Sequence, residues 1–213
     1  MKCDKKTMLL YAVTDRAWVG EQTLCQQVES ALKGGVTCVQ LREKELGEAD
    51  FLAEAIEMKK LCKKYGAVFI VNDNLEVAIK SNADGIHVGQ QDMNAKDVRR
   101  LIGDDKILGV SVHTIDQALT AEKSGADYLG VGSVFTTTTK PDATVVSYET
   151  LALICKAVSV PVVAIGGINK DNILRLSGSG VDGVAVVSAI FSARDIEKEC
   201  RELRILSEKM IKL

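Results

Sequence analysis

No apolar run in this chain of 213 residues reaches the roughly 18 positions of a membrane span. The first residues, Met1-Lys2-Cys3-Asp4-Lys5-Lys6, lead straight into a short apolar strand and carry no cleavage signal, so the expected setting is cytoplasmic with no membrane partner. Six cysteines are present (Cys3, Cys25, Cys38, Cys62, Cys155 and Cys200), but no two form a Cys-x-x-Cys pair. Zinc and redox spacings are therefore excluded. The thiols read as reduced, with Cys38 buried at the head of an apolar strand. Formal net charge is −2, there is no strongly basic face, and Asp and Glu do not collect in a tail. Nucleic acid is thus not an expected partner. Histidine is scarce: only His87 and His113 occur, neither with a nucleophile or a metal-ligand spacing. Serine and cysteine nucleophile schemes find little support.

What is present is alternation. Apolar runs rich in Val, Ile and Leu occupy 9–14, 38–42, 68–72, 85–89, 107–112, 128–134, 161–167 and 184–188. Their consecutive apolar positions are how strands buried on both faces read. Amphipathic segments lie between them, such as 48–65, where Phe51, Leu52, Ala55, Ile56, Met58 and Leu61 fall near helical spacing. Thr114-x-x-Gln117 carries a capping-box pattern, and Asn94 and Asn169 are candidate N-caps. A last helix around 194–212 offers Ile196, Leu203, Ile205 and Leu206 to an outer ring. Gly34-Gly35, Gly66, Gly125 and Gly180 precede strands as helix C-caps would. No linker or low-complexity segment interrupts the pattern, and 46% hydrophobic content supplies a full core. The expectation is one α/β domain, 1–213, folded as a (β/α)8 TIM barrel. An open doubly wound sheet is the runner-up.

In a barrel the active site lies at the carboxyl ends of the strands. Those ends carry Gln40-Leu41-Arg42-Glu43-Lys44, Asn72-Asp73-Asn74, Gly89-Gln90-Gln91-Asp92, Ser111 with His113, Gly166-Gly167 and Val187-Ser188-Ala189. The sixth strand runs into Gly132-Ser133-Val134-Phe135-Thr136-Thr137-Thr138-Thr139-Lys140-Pro141. Glycines there let a ligand approach the backbone, and hydroxyls closed by a lysine suit a phosphate. Taken alone the stretch also fits an edge strand followed by a polar turn. Strands three and four are neighbours, about 4.8 Å apart. Asp73 and Asp92 can then share a hard cation, and two carboxylates with water and phosphate oxygens is a usual way to hold Mg²⁺. The competing reading for both aspartates is helix capping. Arg42, Lys44 and Lys140 around that point form a diphosphate clamp. Gly166-Gly167 and Ser188 form a second, monophosphate cup; the competing reading for the glycines is a tight turn. His87, in mid-strand, reads as a packed, hydrogen-bonded core histidine, while His113 sits at a strand end near the ligand.

These motifs together resemble the thiamine-phosphate synthase (thiamine-phosphate diphosphorylase) family over nearly the whole chain. They are Val39-Gln40-Leu41-Arg42-Glu43-Lys44, Val71-Asn72-Asp73, Asp84-Gly85-Ile86-His87-Val88-Gly89-Gln90-Gln91-Asp92, Leu108-Gly109-Val110-Ser111, Thr137-Thr138-Thr139-Lys140 and Ala164-Ile165-Gly166-Gly167-Ile168. The resemblance implies a TIM barrel that joins a hydroxymethylpyrimidine diphosphate to a thiazole phosphate, carboxylated or not, and releases diphosphate. It implies that Gln40 contacts the pyrimidine, with Leu41 and Glu43 of the same motif beside the substrate. Arg42, Lys44, Asn72 and Lys140 would hold the diphosphate, with Ser111 alongside; Lys140, Arg42, Lys44 and Ser111 would act on the departing group. Asp73 and Asp92 would ligate one Mg²⁺. Thr137, Thr139, Gly167, Val187 and Ser188 would line the thiazole phosphate pocket, with Thr138 in the same substrate-binding loop but turned to solvent. Thr138 departs from the acidic residue of the family's Thr-x-Thr-Lys.

A tautomerase of the same superfamily uses a histidine in the approach after strand six; Ser133 stands there in this chain. A non-catalytic phosphate-binding barrel is the alternative from another class. Partners are small-molecule substrates, and self-association is left open. The segment 136–146 is placed as a closing lid.

Overall fold

The computed structural model describes residues 3–137 and 144–212. Thr138, Thr139, Lys140 and Pro141 lie outside the described residues, and so do the roles expected of them.

Eight parallel strands close on themselves in chain order. They are β1 (Leu10–Val13), β2 (Cys38–Leu41), β3 (Val68–Asn72), β4 (Gly85–Val88), β5 (Ile107–Val112), β6 (Tyr128–Val131), β7 (Val162–Ile165) and β8 (Gly183–Val186). Closure is made by β1 against β8, with Tyr11 opposite Ala185. The α-helices are α1 (Leu24–Lys33), α2 (Glu48–Tyr65), α3 (Leu75–Lys80), α4 (Ala95–Ile102), α5 (Ile115–Lys123), α6 (Tyr148–Ala157), α7 (Ser188–Phe191) and α8 (Ile196–Met210). This is the expected (β/α)8 barrel.

Side chains alternate along each strand, so every strand feeds two cores. Outward residues such as Val39, Leu41, Phe69, Val71 and Leu108 pack under the helices. Inward ones, including Tyr11, Cys38, Ile70, Tyr128 and Ala185, fill the barrel. Helix α2 runs over the expected residues, turns Phe51, Ala55, Met58 and Cys62 inward, and ends on Gly66 at φ 71°, a left-handed stop that glycine accepts without a Cβ clash.

Some expectations shift. Strands six and seven end at Val131 and Ile165 rather than running on through Val134 and Gly167. Past those points Val134 N–H donates to Ile165 O and Phe135 N–H to Gly166 O, so the chain forms a paired turn instead of ladder. The expected helix after strand seven is a 3₁₀ turn at Ile173–Leu176 whose N-cap position, Asn172, makes no side-chain cap bond, and Asn169 Oδ1 accepts from Asp171 N–H just before it. Thr114 caps α5, but Gln117 Oε1 accepts from His113 N–H, one residue outside the cap. The complete capping box belongs to Thr23 and Gln26 at α1. Ile205 is 65% exposed, because the buried stripe of α8 is Ile196, Cys200, Leu203, Ser207 and Met210 and leaves it on the opposite side. Among the described residues no helix is long and apolar enough to cross a membrane.

Candidate active site

The carboxyl-end mouth is built from strand parity. On β2, Gln40 points inward while Leu41 is fully buried in the layer under the helices. The Leu41 side chain is therefore turned away from the mouth. Arg42 follows, half-buried, with its backbone N–H donating to Thr14 Oγ1 at 2.9 Å. Glu43 is committed elsewhere. Its carboxylate pairs with Arg16, whose Nε lies 2.8 Å away, and accepts the backbone N–H groups of Lys44 at 2.8 Å and Glu45 at 3.0 Å. Burial alone would push this carboxyl up, but those donors outweigh it and the pKa is lowered. The structure thus uses Glu43 to shape the loop after β2 and hold Lys44 in place. Arg16 also donates to Glu54 of α2 at 2.7 Å, a clamp that no sequence motif announced.

Asp73 follows β3 at φ 60°, a left-handed value uncommon outside glycine, asparagine and aspartate. Asn74 N–H donates to Asn72 O at 2.7 Å across it, and Asp73 N–H donates to His87 O of β4 at 2.8 Å. The result is a tight turn locked at both sides. Its carboxylate receives Lys44 Nζ at 2.7 Å and Asn72 Nδ2 at 2.5 Å. Burial raises the Asp73 pKa, Lys44 opposes the rise, and the Asp92 carboxylate adds to it. Asp92 is thus a close neighbour, exposed, with Oδ2 accepting Gly89 N–H at 2.7 Å. Helix capping is not the role of either residue: α3 is capped by Asn74 and α4 by Asn94.

The donor set fits a hard divalent cation. Two carboxylates press on each other, and an ammonium already sits against one of them, so the place is made for positive charge. Among the described residues no group of three or more His, Cys, Asp or Glu gathers for a metal. Two carboxylates leave the remaining positions to water and phosphate, as Mg²⁺ commonly requires.

Ser111, one residue before the end of β5, has its Oγ 2.8 Å from His87 Nε2, and its carbonyl accepts Gln90 Nε2 at 2.6 Å. His87 is buried as expected, and burial pushes its pKa down to about 4, so it stays neutral. The His113 ring is oriented by Nδ1, which lies 2.5 Å from Gly132 O. Two residues that the sequence motifs do not include complete the floor. Tyr11 and Tyr128 are fully buried inside the barrel with their hydroxyls 2.8 Å apart. The available signal was a tyrosine within an inward-facing strand, since a buried hydroxyl needs a partner.

On the opposite side of the mouth, Gly166 and Gly167 take φ 102° and 65°. A Cβ at Gly167 would lie 2.4 Å from Thr136 O, so the close approach of the Phe135–Thr136 backbone also demands glycine. Asn172 Nδ2 donates to Gly167 O at 2.8 Å. Val187 packs against the barrel interior, and Ser188 opens α7, which has no side-chain cap. The ends of the expected lid are held: Ser133 N–H donates to Thr144 O at 3.0 Å and Val146 N–H to Ser133 O at 2.8 Å. The Ser133 hydroxyl donates to Phe135 O.

A closed parallel barrel with carboxylates, cations and hydroxyls gathered at the strand ends belongs to the class of TIM-barrel enzymes that handle anionic substrates. Comparison with known proteins narrows the class. The sequence model of the family described as Thiamine monophosphate synthase matches residues 10–190. The chain is 49% identical over 201 residues to a thiamine-phosphate synthase of Clostridium botulinum, covering 94% of each. It is 50% identical over 194 residues to one of Ruminiclostridium cellulolyticum, covering 91% of this chain and 92% of the other. The solved thiamine phosphate pyrophosphorylase of Pyrococcus furiosus superposes with a TM-score of 0.90 at 40% identity, covering 97% of this chain and 98% of that one. The chain belongs to the thiamine monophosphate synthase family.

Proposed function

We propose that this protein condenses a 4-amino-5-hydroxymethylpyrimidine diphosphate with a thiazole phosphate, giving thiamine phosphate and diphosphate. Family membership supports the reaction, and one observation in the site carries it. Asp73 and Asp92 meet beside Lys44 at the mouth, in reach of the inward strand ends that hold Gln40, Asn72 and Ser111. A thiazole tautomerase is less well supported, since Ser133 replaces the histidine that reaction uses and its hydroxyl is spent on Phe135 O.

In this reading Asp73 and Asp92 hold Mg²⁺, which would neutralise charge on the diphosphate as it leaves. Lys44, Arg42, Asn72 and Lys140 bind that diphosphate, and Lys44 leaves its ion pair with Asp73 to do so. Thr137, Thr139, Gly167, Val187 and Ser188 would bind the thiazole phosphate. The thiazole nitrogen attacks with a lone pair and loses no proton, so no general base is required. The amino-pyrimidine delocalises positive charge on its methylene, which favours dissociative substitution through a pyrimidine carbocation. The protein aligns the nucleophile, excludes water and stabilises the departing anion. We place the reaction in the cytoplasm with small molecules as the partners.

Binding and turnover separate this reading from a barrel that only holds phosphates. Calorimetry with each substrate should give binding heat, and mixing both with Mg²⁺ should release diphosphate. Heat with no diphosphate release would contradict the assignment.

A further inference from the structure

A continuous chain of hydrogen bonds crosses the barrel core from β2 to β5. Gln40 Nε2 donates to Tyr11 Oη at 2.8 Å. The Tyr11 and Tyr128 hydroxyls are 2.8 Å apart, Tyr128 Oη is 2.9 Å from His87 Nδ1, and His87 Nε2 is 2.8 Å from Ser111 Oγ. Tyr11 and Tyr128 are at most 1% exposed and His87 is 8% exposed, so water does not compete for the inner links.

Each inner member has one proton to give. A phenol donates once, and a neutral imidazole carries one N–H. A phenol oxygen can also accept twice, and the Cys38 thiol lies beside Tyr11 as well, so the polarity we infer is the one in which each member passes its single proton along the chain. In that polarity Gln40 gives its N–H to Tyr11 and the Tyr11 proton goes to Tyr128. The Tyr128 proton goes to His87 Nδ1, which must then be the bare nitrogen. His87 holds its proton on Nε2 and donates it to Ser111. The Ser111 hydroxyl already accepts, so its own proton is free for the mouth. At the other end Gln40 spends its amide N–H on Tyr11, which leaves the amide oxygen as the acceptor it can offer. Reversing the chain would turn Ser111 into His87 and leave only lone pairs at the mouth.

We propose that Tyr11, Tyr128 and His87 are positioning residues: a polarised relay that fixes Ser111 as a hydrogen-bond donor and Gln40 as an acceptor. The inference deepens the proposed function and rests on it for the ligand. Phosphate oxygens only accept at neutral pH, so a serine presenting lone pairs to a diphosphate would repel it. An exocyclic amine needs the opposite, an acceptor, and Gln40 supplies one. The relay matches the two ends to a ligand that carries an amine at one side and an anion at the other.

The test begins without substrate. Histidine labelled with ¹⁵N gives the tautomer of each imidazole from long-range proton–nitrogen couplings, and the chain has only two. His113 faces a carbonyl through Nδ1 and must protonate there. His87 is expected to show the opposite tautomer, with its proton on Nε2. Tyr11→Phe does not touch His87, yet it removes the link that carries polarity from Gln40. A second population protonated on Nδ1 should then appear. The KM for pyrimidine diphosphate should rise about tenfold, the loss of one buried hydrogen bond, with the KM for thiazole phosphate unchanged. Wild-type His87 protonated on Nδ1 would overturn the relay, whether or not the variant folds. So would a Tyr11→Phe variant whose His87 tautomer is unmoved. The correct tautomer in a protein that gives no thiamine phosphate would refute the proposed reaction and leave the relay standing.

Discussion

Asp73 brings backbone conformation and charge together in one residue. Its φ of 60° is tolerated because a short polar side chain accepts the left-handed region better than most. Its carboxylate is held by Lys44 and Asn72 and disturbed by Asp92. The sequence showed that Asp73 and Asp92 follow strand runs that are adjacent in a barrel, and the two carboxylates are neighbours in the structure. The sequence did not make Glu43 or Leu41 legible. Both lie in the same motif as Gln40, but parity turns Leu41 under the helices, and Arg16, 27 residues upstream, claims Glu43. A motif shows which residues occur together and not which way each one faces. Asp73→Asn keeps a residue that tolerates positive φ, so the fold should persist. A neutral amide replaces a charged ligand, and metal stabilisation of a departing anion is worth several kcal/mol. Asp73→Asn and Asp92→Asn should each lower the rate on the order of 10²-fold at fixed Mg²⁺, and raising Mg²⁺ should recover part of it. Wild-type rate and metal dependence in both variants would dismiss the metal assignment.

At the scale of elements, strands were easier to place than the faces they present. Runs buried on both sides are apolar at nearly every position, so period two is hidden. Tyr11 on β1 and Tyr128 on β6 belong to strands that are not neighbours, and their contact exists only once the barrel closes. Helix ends were clearer where a cap is chemical and local, as at Asn94 and Gly66. The 3₁₀ turn after β7 was not, since Asn169 and Asn172 are both credible caps. On β5, Gly109 makes room for the Tyr128 ring: a Cβ there would lie 2.2 Å from its Cζ. Gly109→Ala should push the ring aside, costing about 1–3 kcal/mol as overpacking does. Denaturant unfolding should show that loss, and His87 should lose its Tyr128 partner with it. An unchanged midpoint would mean the barrel core yields more than its packing suggests.

The whole molecule places two kinds of region around one opening. On one side β2, β3, β4, β5 and the loops after them supply Gln40, Lys44, Asp73, Asp92 and Ser111, a cationic and carboxylate surface backed by a buried polar core. On the other, Gly166, Gly167 and Ser188 sit on backbone shaped by close approach to the Phe135–Thr136 turn. That division suits two anionic substrates approaching from two sides, with bond making between them. The most direct measurement is product stoichiometry. Purified protein is mixed with the pyrimidine diphosphate, the thiazole phosphate and Mg²⁺, and both products are quantified. Thiamine phosphate and diphosphate should form in equal amounts, stop on chelation and resume when Mg²⁺ is restored. Diphosphate released without thiamine phosphate, or no product from the complete mixture, would contradict the account.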